Sequence, residues 1–385
     1  MTERVVAAFV PLVDCAVLVA AREQGFAAAE GLELTLVREP SWASLRDHLS
    51  LGHVDCAHAL APLPVALTLG VGQVRVDCVV PFVLNRGGNA ITLATALVAE
   101  ITALDADALA TPERAGRALA AAAGRRETPL TLGMVFPFSN HNFDMRYWLA
   151  AAGVHPDRDV RLVAIPPPLM VDSLRAGLVD GFCVGEPWNS LAVAEGLGSI
   201  VATQAQLFPG AAEKVLAVRT EFAESGSERM SRLLRALDRA AAWADDAAHH
   251  AALAAHLARP EYLDLSPELI AATLSGRVPF RSPSQRHDRD FMYFHRRAAN
   301  LPSTADGLWS YAQMVRWGQL APSPRQQRLA GAVFRADLYR RSVAVAGSEP
   351  PQSLSFDRIA FSATDVPAYL RRFSVTTPFK DFHAP

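Results

Sequence analysis

His141 stands in Phe136-Pro-Phe-Ser-Asn-His-Asn-Phe-Asp-Met-Arg-Tyr-Trp148, where a Ser/Asn cluster precedes apolar residues spaced as Met145, Trp148 and Leu149. That pattern predicts a helix whose N-terminus lies at or just after His141. The first N–H groups of a helix have no internal partners, and the helix dipole favours negative charge there, so a histidine at this point is placed to hold a small anion. Two further segments belong to the same cleft in this reading, Pro166-Pro-Pro-Leu-Met170 and Cys183-Val-Gly-Glu-Pro-Trp-Asn189. Pro167, Gly185, Glu186 and Pro187 are expected to support that cleft or its hinge.

Other clusters point to blander roles. His249, His250 and His256 lie at near-helical spacing, but no carboxylate or cysteine framework accompanies them, so they read as a solvated helix and no metal site is expected. Asp14, Asp55 and His58 read as strand-end residues that satisfy backbone groups or line the cleft. Without a nucleophile motif beside them the chain is not expected to be an enzyme, and no cofactor is expected.

A chain of 385 residues exceeds what one core usually holds and suggests two or three domains. Its formal charge of −2 gives no electrostatic case for direct nucleic-acid binding. Cys15, Cys56, Cys78 and Cys183 lack CxxC spacing and read as buried core thiols, which weakly implies a reducing compartment. The opening run Val5 to Leu12 is short for a secretory signal and is interrupted by Asp14, so the expected location is the cytoplasm. No stretch approaches the length of a membrane-spanning helix, and no membrane insertion is expected.

The elements that must carry the cleft follow a βαβ rhythm: strand Val5 to Leu12, helix Cys15 to Ala29, strand Leu32 to Val37, helix Ala43 to Leu51, strand Val54 to His58, helix Pro62 to Leu69, strand Val76 to Leu84. Asn85 to Asn89 reads as a turn before a strand at Ala90 to Leu93. A second α/β block contains a helix near Ala115 to Ala123, strand Leu130 to Val135, the His141 helix, strand Val160 to Ile165, helix Met170 to Ala176 and strand Gly181 to Val184. Pro187 looks like the first residue of a helix ending near Gly196. Beyond Lys214 the pattern turns helical: Met230, Leu233, Leu234, Leu237 and Ala241 share one face, and Tyr293 to Gly318 and Gln326 to Tyr339 read as further helices. Ala346 to Gln352 reads as a loop leading to the tail.

Phe9-Val-Pro-Leu-Val-Asp-Cys15, Glu39-Pro-Ser-Trp-Ala43, Asp55-Cys-Ala-His58, Asn85-Arg-Gly-Gly-Asn-Ala-Ile-Thr92, the His141 segment, Gly185-Glu-Pro-Trp-Asn189 and Gly307-Leu-Trp-Ser-Tyr-Ala-Gln-Met-Val-Arg-Trp-Gly318 together resemble the nitrate/bicarbonate solute-binding family represented by NrtA and CmpA. The resemblance covers nearly the whole chain. It implies an α/β, two-lobe periplasmic-binding-protein-like fold of type II with the ligand between the lobes and a helical C-terminal extension. The expected division is 1–95 for the first part of lobe I, 96–207 for lobe II, 208–345 for the return to lobe I with the helical region, and 346–385 for a tail packed on the lobes. Carried over position by position, the resemblance implies anion contacts from Trp42, Asn89, His141 and Lys214.

Those residue types suit nitrate, a planar monoanion that accepts hydrogen bonds and donates none. Bicarbonate carries an O–H and rewards an acceptor or a metal. Closing the lobes over an unpaired Lys214 would be costly, so anion-dependent closure is expected. Together with the N-terminus, the resemblance points to the cytoplasmic NasS-type sensor of nitrate or nitrite, with a NasT-type RNA-binding antiterminator protein as partner. The alternative is the substrate-binding component of a nitrate or bicarbonate ABC transporter, with an ABC permease as partner.

Overall fold

Strands such as Cys56–Leu60, apolar but for His58, and Gly181–Gly185 are buried along their whole length, as strands covered on both faces must be. The computed structural model describes residues 2–72, 74–225, 227–279, 286–343 and 355–379. Lobe I is built on a six-stranded sheet that contains β1 (Glu3–Phe9), β2 (Leu32–Arg38), β3 (Cys56–Leu60) and β4 (Cys78–Gly87). Lobe II is a five-stranded sheet of β5 (Asn89–Ala94), β6 (Leu130–Met134), β7 (Val160–Ala164), β8 (Gly181–Gly185) and β9 (Gly198–Thr203), in the order β7-β6-β8-β5-β9. The chain returns to lobe I with β10 (Ala212–Arg219), which inserts antiparallel between β3 and β4. A small hairpin, β11 (Arg277–Val278) with β12 (Arg286–His287), precedes β13 (Met292–Tyr293), which pairs with β4 at the edge of the first sheet. This is a two-lobe periplasmic-binding-protein fold.

The first crossing between lobes lies at Gly87 and Gly88, ahead of the expected boundary at residue 95, because Asn89–Ala94 pairs with β8 and β9. Gly87 has φ 71°, and a Cβ there would stand 2.3 Å from the carbonyl oxygen of Phe291, so the chain can bend here only through glycine. The second crossing runs through 208–211.

Several elements are shorter than the periodicity suggested. The helix expected over Cys15 to Ala29 is a 3-10 turn at Val13–Cys15 followed by helices Ala16–Glu23 and Phe26–Ala29, broken where Gly25 takes φ 74°. The region from Tyr293 becomes helical only at Thr304, after Pro302, with the Ser303 side chain accepting from Ala305 N. The run expected over Gln326 to Tyr339 divides into Pro324–Val333 and Ala336–Ser342 because Phe334 and Arg335 pair with Val80 of β4. The loop expected at Ala346 to Gln352 lies outside the described residues. The helix Ser227–Asp245 buries Met230, Leu233, Leu234, Leu237 and Ala241 in the core of lobe I.

The C-terminal segment ties the lobes together. Phe356 N donates to Leu207 O, the rings of Phe356 and Phe373 pack on Tyr147 of lobe II, and Tyr369 accepts a hydrogen bond from Gln313 in the helix Thr304–Arg316.

Candidate functional site

The ends of β1, β3, β6 and β8 converge where the lobes meet. After β6 the chain turns at Ser139, whose side chain accepts from Asn142 N at 3.0 Å and opens the helix Asn140–Ala151. His141 is the second residue of that helix and is fully buried. Ser41 caps the helix Trp42–Leu51 in the same way, which fixes Trp42 at its first position rather than in a turn. Asn89 opens β5, and Lys214 lies in β10 opposite Leu60 of β3.

The four expected contact residues belong to one cluster. The Lys214 Nζ lies 5.6 Å from the centre of the Trp42 ring, 2.7 Å from Asp14 Oδ2 and 2.8 Å from Glu213 Oε1. Asp14 Oδ1 bonds His58 Nε2 at 2.8 Å, and the His58 ring packs against Trp42 with centroids 5.7 Å apart. His141 Nε2 is 3.7 Å from Glu213 Oε1. Gln204 Nε2 donates to both Glu213 Oε2, at 2.8 Å, and Asp144 Oδ2, at 3.0 Å. Asn140 Nδ2 donates to Glu213 Oε2 at 2.8 Å, and Asn89 Nδ2 to Asp144 Oδ2 at 3.4 Å.

Lobe I therefore supplies Asp14, Trp42, His58, Glu213 and Lys214, while lobe II supplies Asn89, Asn140, His141, Asp144 and Gln204. Each is at most 1% exposed. In so dry a place polar atoms are nearly always paired, yet Trp42 Nε1, His58 Nδ1, both ring nitrogens of His141, Asn89 Oδ1, Asn140 Oδ1, Asp144 Oδ1 and Gln204 Oε1 have no protein partner. Leaving such atoms unpaired costs on the order of 1–3 kcal/mol each. A small polar guest that satisfies several of them at once removes that penalty.

Gly185 fits this junction because a Cβ would lie 2.8 Å from Leu12 Cδ2, 3.3 Å from Asp14 Oδ2 and 3.6 Å from Asn89 Oδ1. Just beyond it the lobes are bonded directly: Val13 N donates to Glu186 O at 2.8 Å, and Trp188 Nε1 to Pro11 O at 3.2 Å. Glu186 is a cap, accepting from Ser190 N at 3.1 Å, and burial pushes its carboxyl up to about 7. Pro187 follows a cis peptide bond and forms the N-cap of the helix Trp188–Ala194, one position before its expected place at the first helical residue. Pro167 is buried in the turn Pro167–Leu169 after β7, the outermost strand of its sheet, and makes none of these polar contacts.

Electrostatically the cluster centres on an ion-paired lysine. Burial disfavours the charged form of Lys214, but Asp14 and Glu213 outweigh it and hold the ammonium above its ordinary range. Burial likewise opposes ionisation of the two acids, yet Lys214 and His58 hold Asp14 down at about 2, and Lys214 with the Gln204 hydrogen bond holds Glu213 low. Burial and the Glu213 charge push Asp144 well above the usual carboxylate range, which favours its protonated form. Burial depresses both histidines, His141 to about 3. The expectation of an unpaired Lys214 is thus corrected: its charge is matched by two carboxylates before any anion arrives. Among the described residues, no three His, Cys, Asp or Glu side chains gather where a metal ion could sit.

Glu213, Asp144, Gln204 and Asn140 join the cluster without being marked as site residues by the sequence pattern. Asp144 carries a readable signal, standing three residues after His141 and therefore on the same helix face. Asp55 instead accepts from Val6 N at 2.8 Å, satisfying a strand-end backbone group.

Residues 2–258 match the family described as NMT1-like. The chain is 36% identical over 380 residues to the nitrate import ATP-binding protein NrtC of Synechocystis sp., covering 95% of this chain and 54% of that protein. It is also 36% identical over 373 residues to the bicarbonate transport ATP-binding protein CmpC of the same organism, covering 94% and 54%. This chain therefore spans about half the length of those two relatives. To the nitrate/nitrite binding protein NrtA of Synechococcus elongatus it is 34% identical over 382 residues, covering 94% of this chain and 84% of that protein. The crystal structure of the periplasmic nitrate-binding protein NrtA from Synechocystis superposes with a TM-score of 0.89 at 27% identity, covering 97% of this chain and 99% of that one.

Proposed function

We propose that this chain, which belongs to the NMT1-like family together with NrtA, binds nitrate or nitrite between its lobes and serves as the substrate-binding component of an anion transport system. The observation that carries this reading is the interlobe cluster of buried, unpartnered polar atoms gathered around Lys214, His141 and Trp42. A planar oxyanion fits the donors among them: Trp42 Nε1–H and an imidazole N–H donate, the Lys214 ammonium supplies charge, and the indole face forms an apolar wall.

Asn89 contributes through its neighbour. A neutral Asp144 can donate its proton to the Asn89 amide oxygen, which turns the amide –NH2 toward the ligand; the two orientations differ only by an amide flip. Bicarbonate has an O–H to place and is better served by a calcium ion, whereas the carboxylates here face a lysine.

Of the relatives reported above, NrtC and CmpC are named for import or transport, which favours the transport role over the NasS-type sensor with its NasT-type partner. That sensor role and a cytoplasmic location rest on the family resemblance and the N-terminal pattern alone.

The test is thermal unfolding of the purified chain with nitrate, nitrite, chloride, and bicarbonate with calcium, at matched ionic strength. Binding at about 100 times Kd adds about 2.7 kcal/mol of stability. Stabilisation selective for nitrate or nitrite supports the reading; a response only to bicarbonate with calcium replaces it.

A further inference from the structure

We propose that the site takes up its anion together with one proton, which the His141 imidazole holds between the anion and Glu213; this deepens, and rests on, the anion-binding reading above.

A count of charges leads there. The titratable groups that face the site are Asp14 from the turn after β1, His58 from β3, His141 and Asp144 from the helix Asn140–Ala151, Cys183 from β8, and Glu213 and Lys214 from β10. Asn89, Asn140, Gln204 and Trp42 complete the wall and are uncharged. Lys214 touches both Asp14 and Glu213, so one positive charge already faces two negative ones. The surplus is negative whichever state Asp144 holds. Cys183 stays a thiol, since burial above all, with the Glu213 charge, pushes it well above its ordinary range. A monoanion entering alone would meet surplus negative charge in a place where little solvent screens it.

A proton resolves the conflict, and the geometry shows where it goes. One nitrogen of His58 is engaged with Asp14. Both nitrogens of His141 are unpartnered, and Nε2 lies 3.7 Å from Glu213 Oε1. A neutral imidazole has one N–H and one lone pair, and the lone pair repels an anion or wastes a donor. The imidazolium presents one N–H to Glu213 and the other to the ligand. Before the anion arrives burial keeps the ring neutral; the anion adds a second negative neighbour and reverses the balance. The only bond formed is N–H, with the proton drawn from solvent.

Proton uptake and affinity are linked, so wherever one proton enters with each anion, Kd rises tenfold per pH unit. The experiment is calorimetric titration of the full chain with potassium nitrate between pH 6 and 8, in paired buffers of different ionisation enthalpy. The proposal expects about one proton taken up per nitrate and the matching tenfold slope. Nitrate binding with no proton uptake and a flat Kd would overturn it while leaving the anion-binding reading intact, and absence of nitrate binding at every pH would remove that reading itself. In His141→Gln, residual nitrate binding should be free of proton uptake; uptake that persists there would overturn the assignment to His141. Should that variant fail to fold or bind, the wild-type slope still decides.

Discussion

Glu213 and Lys214 are consecutive residues of one strand, yet their side chains meet, with Nζ 2.8 Å from Oε1. Strand geometry alone would send neighbours to opposite faces of the sheet. Here the pairing of β10 with β4 shifts register on both sides of Lys214, from Ala212 and again to Val215, and the irregularity brings both side chains into the cleft. The lysine therefore enters the cleft with its own counter-ion attached.

That pairing gives Lys214 a structural role whatever it does for a ligand. Lys214→Met should leave Asp14 and Glu213 facing each other in a dry interior and destabilise the protein by about 3–5 kcal/mol. Urea unfolding would show it as a fall in midpoint. Adding Asp14→Asn should recover part of the loss, and an unchanged midpoint in Lys214→Met would contradict the ion-pair geometry.

Glu186 predicts a pH dependence of stability. Its folded carboxyl is raised to about 7 from an ordinary 4.5, so the folded state holds the proton more tightly than the unfolded chain does. Stability from this group is therefore full below pH 4.5 and is lost as pH rises toward 7, by about 3 kcal/mol. Glu186→Gln should raise the unfolding temperature at pH 8 and change it little at pH 4.5. A variant less stable than the parent at pH 8 would show that the carboxylate is required.

Gly185→Ala tests the fit between lobes. The added methyl would press on Leu12 and Asp14, so the lobes should close less completely. Nitrate affinity is expected to fall about tenfold or more, equivalent to about 1.4 kcal/mol, while each lobe still folds. Unchanged affinity by titration would mean that the junction at Gly185 yields freely.

The indole N–H of Trp42 is buried without a protein partner and is expected to donate to the anion. Trp42→Phe keeps the aromatic wall and removes that donor, and should weaken nitrate binding by about tenfold, the worth of one hydrogen bond near 1.5 kcal/mol. Equal affinities would place the anion away from this ring.

Much of the scaffold is legible in the residues themselves. The helix Pro62–Leu69 is announced by Pro62 and Pro64 followed by an apolar run, and the helix carrying His141 by Ser139 and the apolar spacing after it. What cannot be read along the chain is convergence. Asp14 and His58 are 44 residues apart and meet because β1 and β3 are neighbours, a fact of sheet order rather than of local pattern. Glu213 escapes because simple alternation places it opposite Lys214, and only the irregular pairing with β4 turns it inward. Gln204 reads as an ordinary residue at the start of a short helix, yet it donates to the two buried acids Asp144 and Glu213. The first lobe crossing falls at Gly87 and Gly88 and not at residue 95, a difference hidden in the sequence because Asn89–Ala94 reads equally well as the end of one sheet or the start of the next.

The most direct test is a crystal structure of the chain grown with nitrate. A planar anion is expected between Trp42, His141 and Lys214, with its oxygens within hydrogen-bond distance of Trp42 Nε1, a His141 ring nitrogen and Lys214 Nζ, and with the Lys214 contacts to Asp14 and Glu213 retained. Nitrate bound elsewhere, or bound between the lobes only after Lys214 has left both carboxylates, would contradict it.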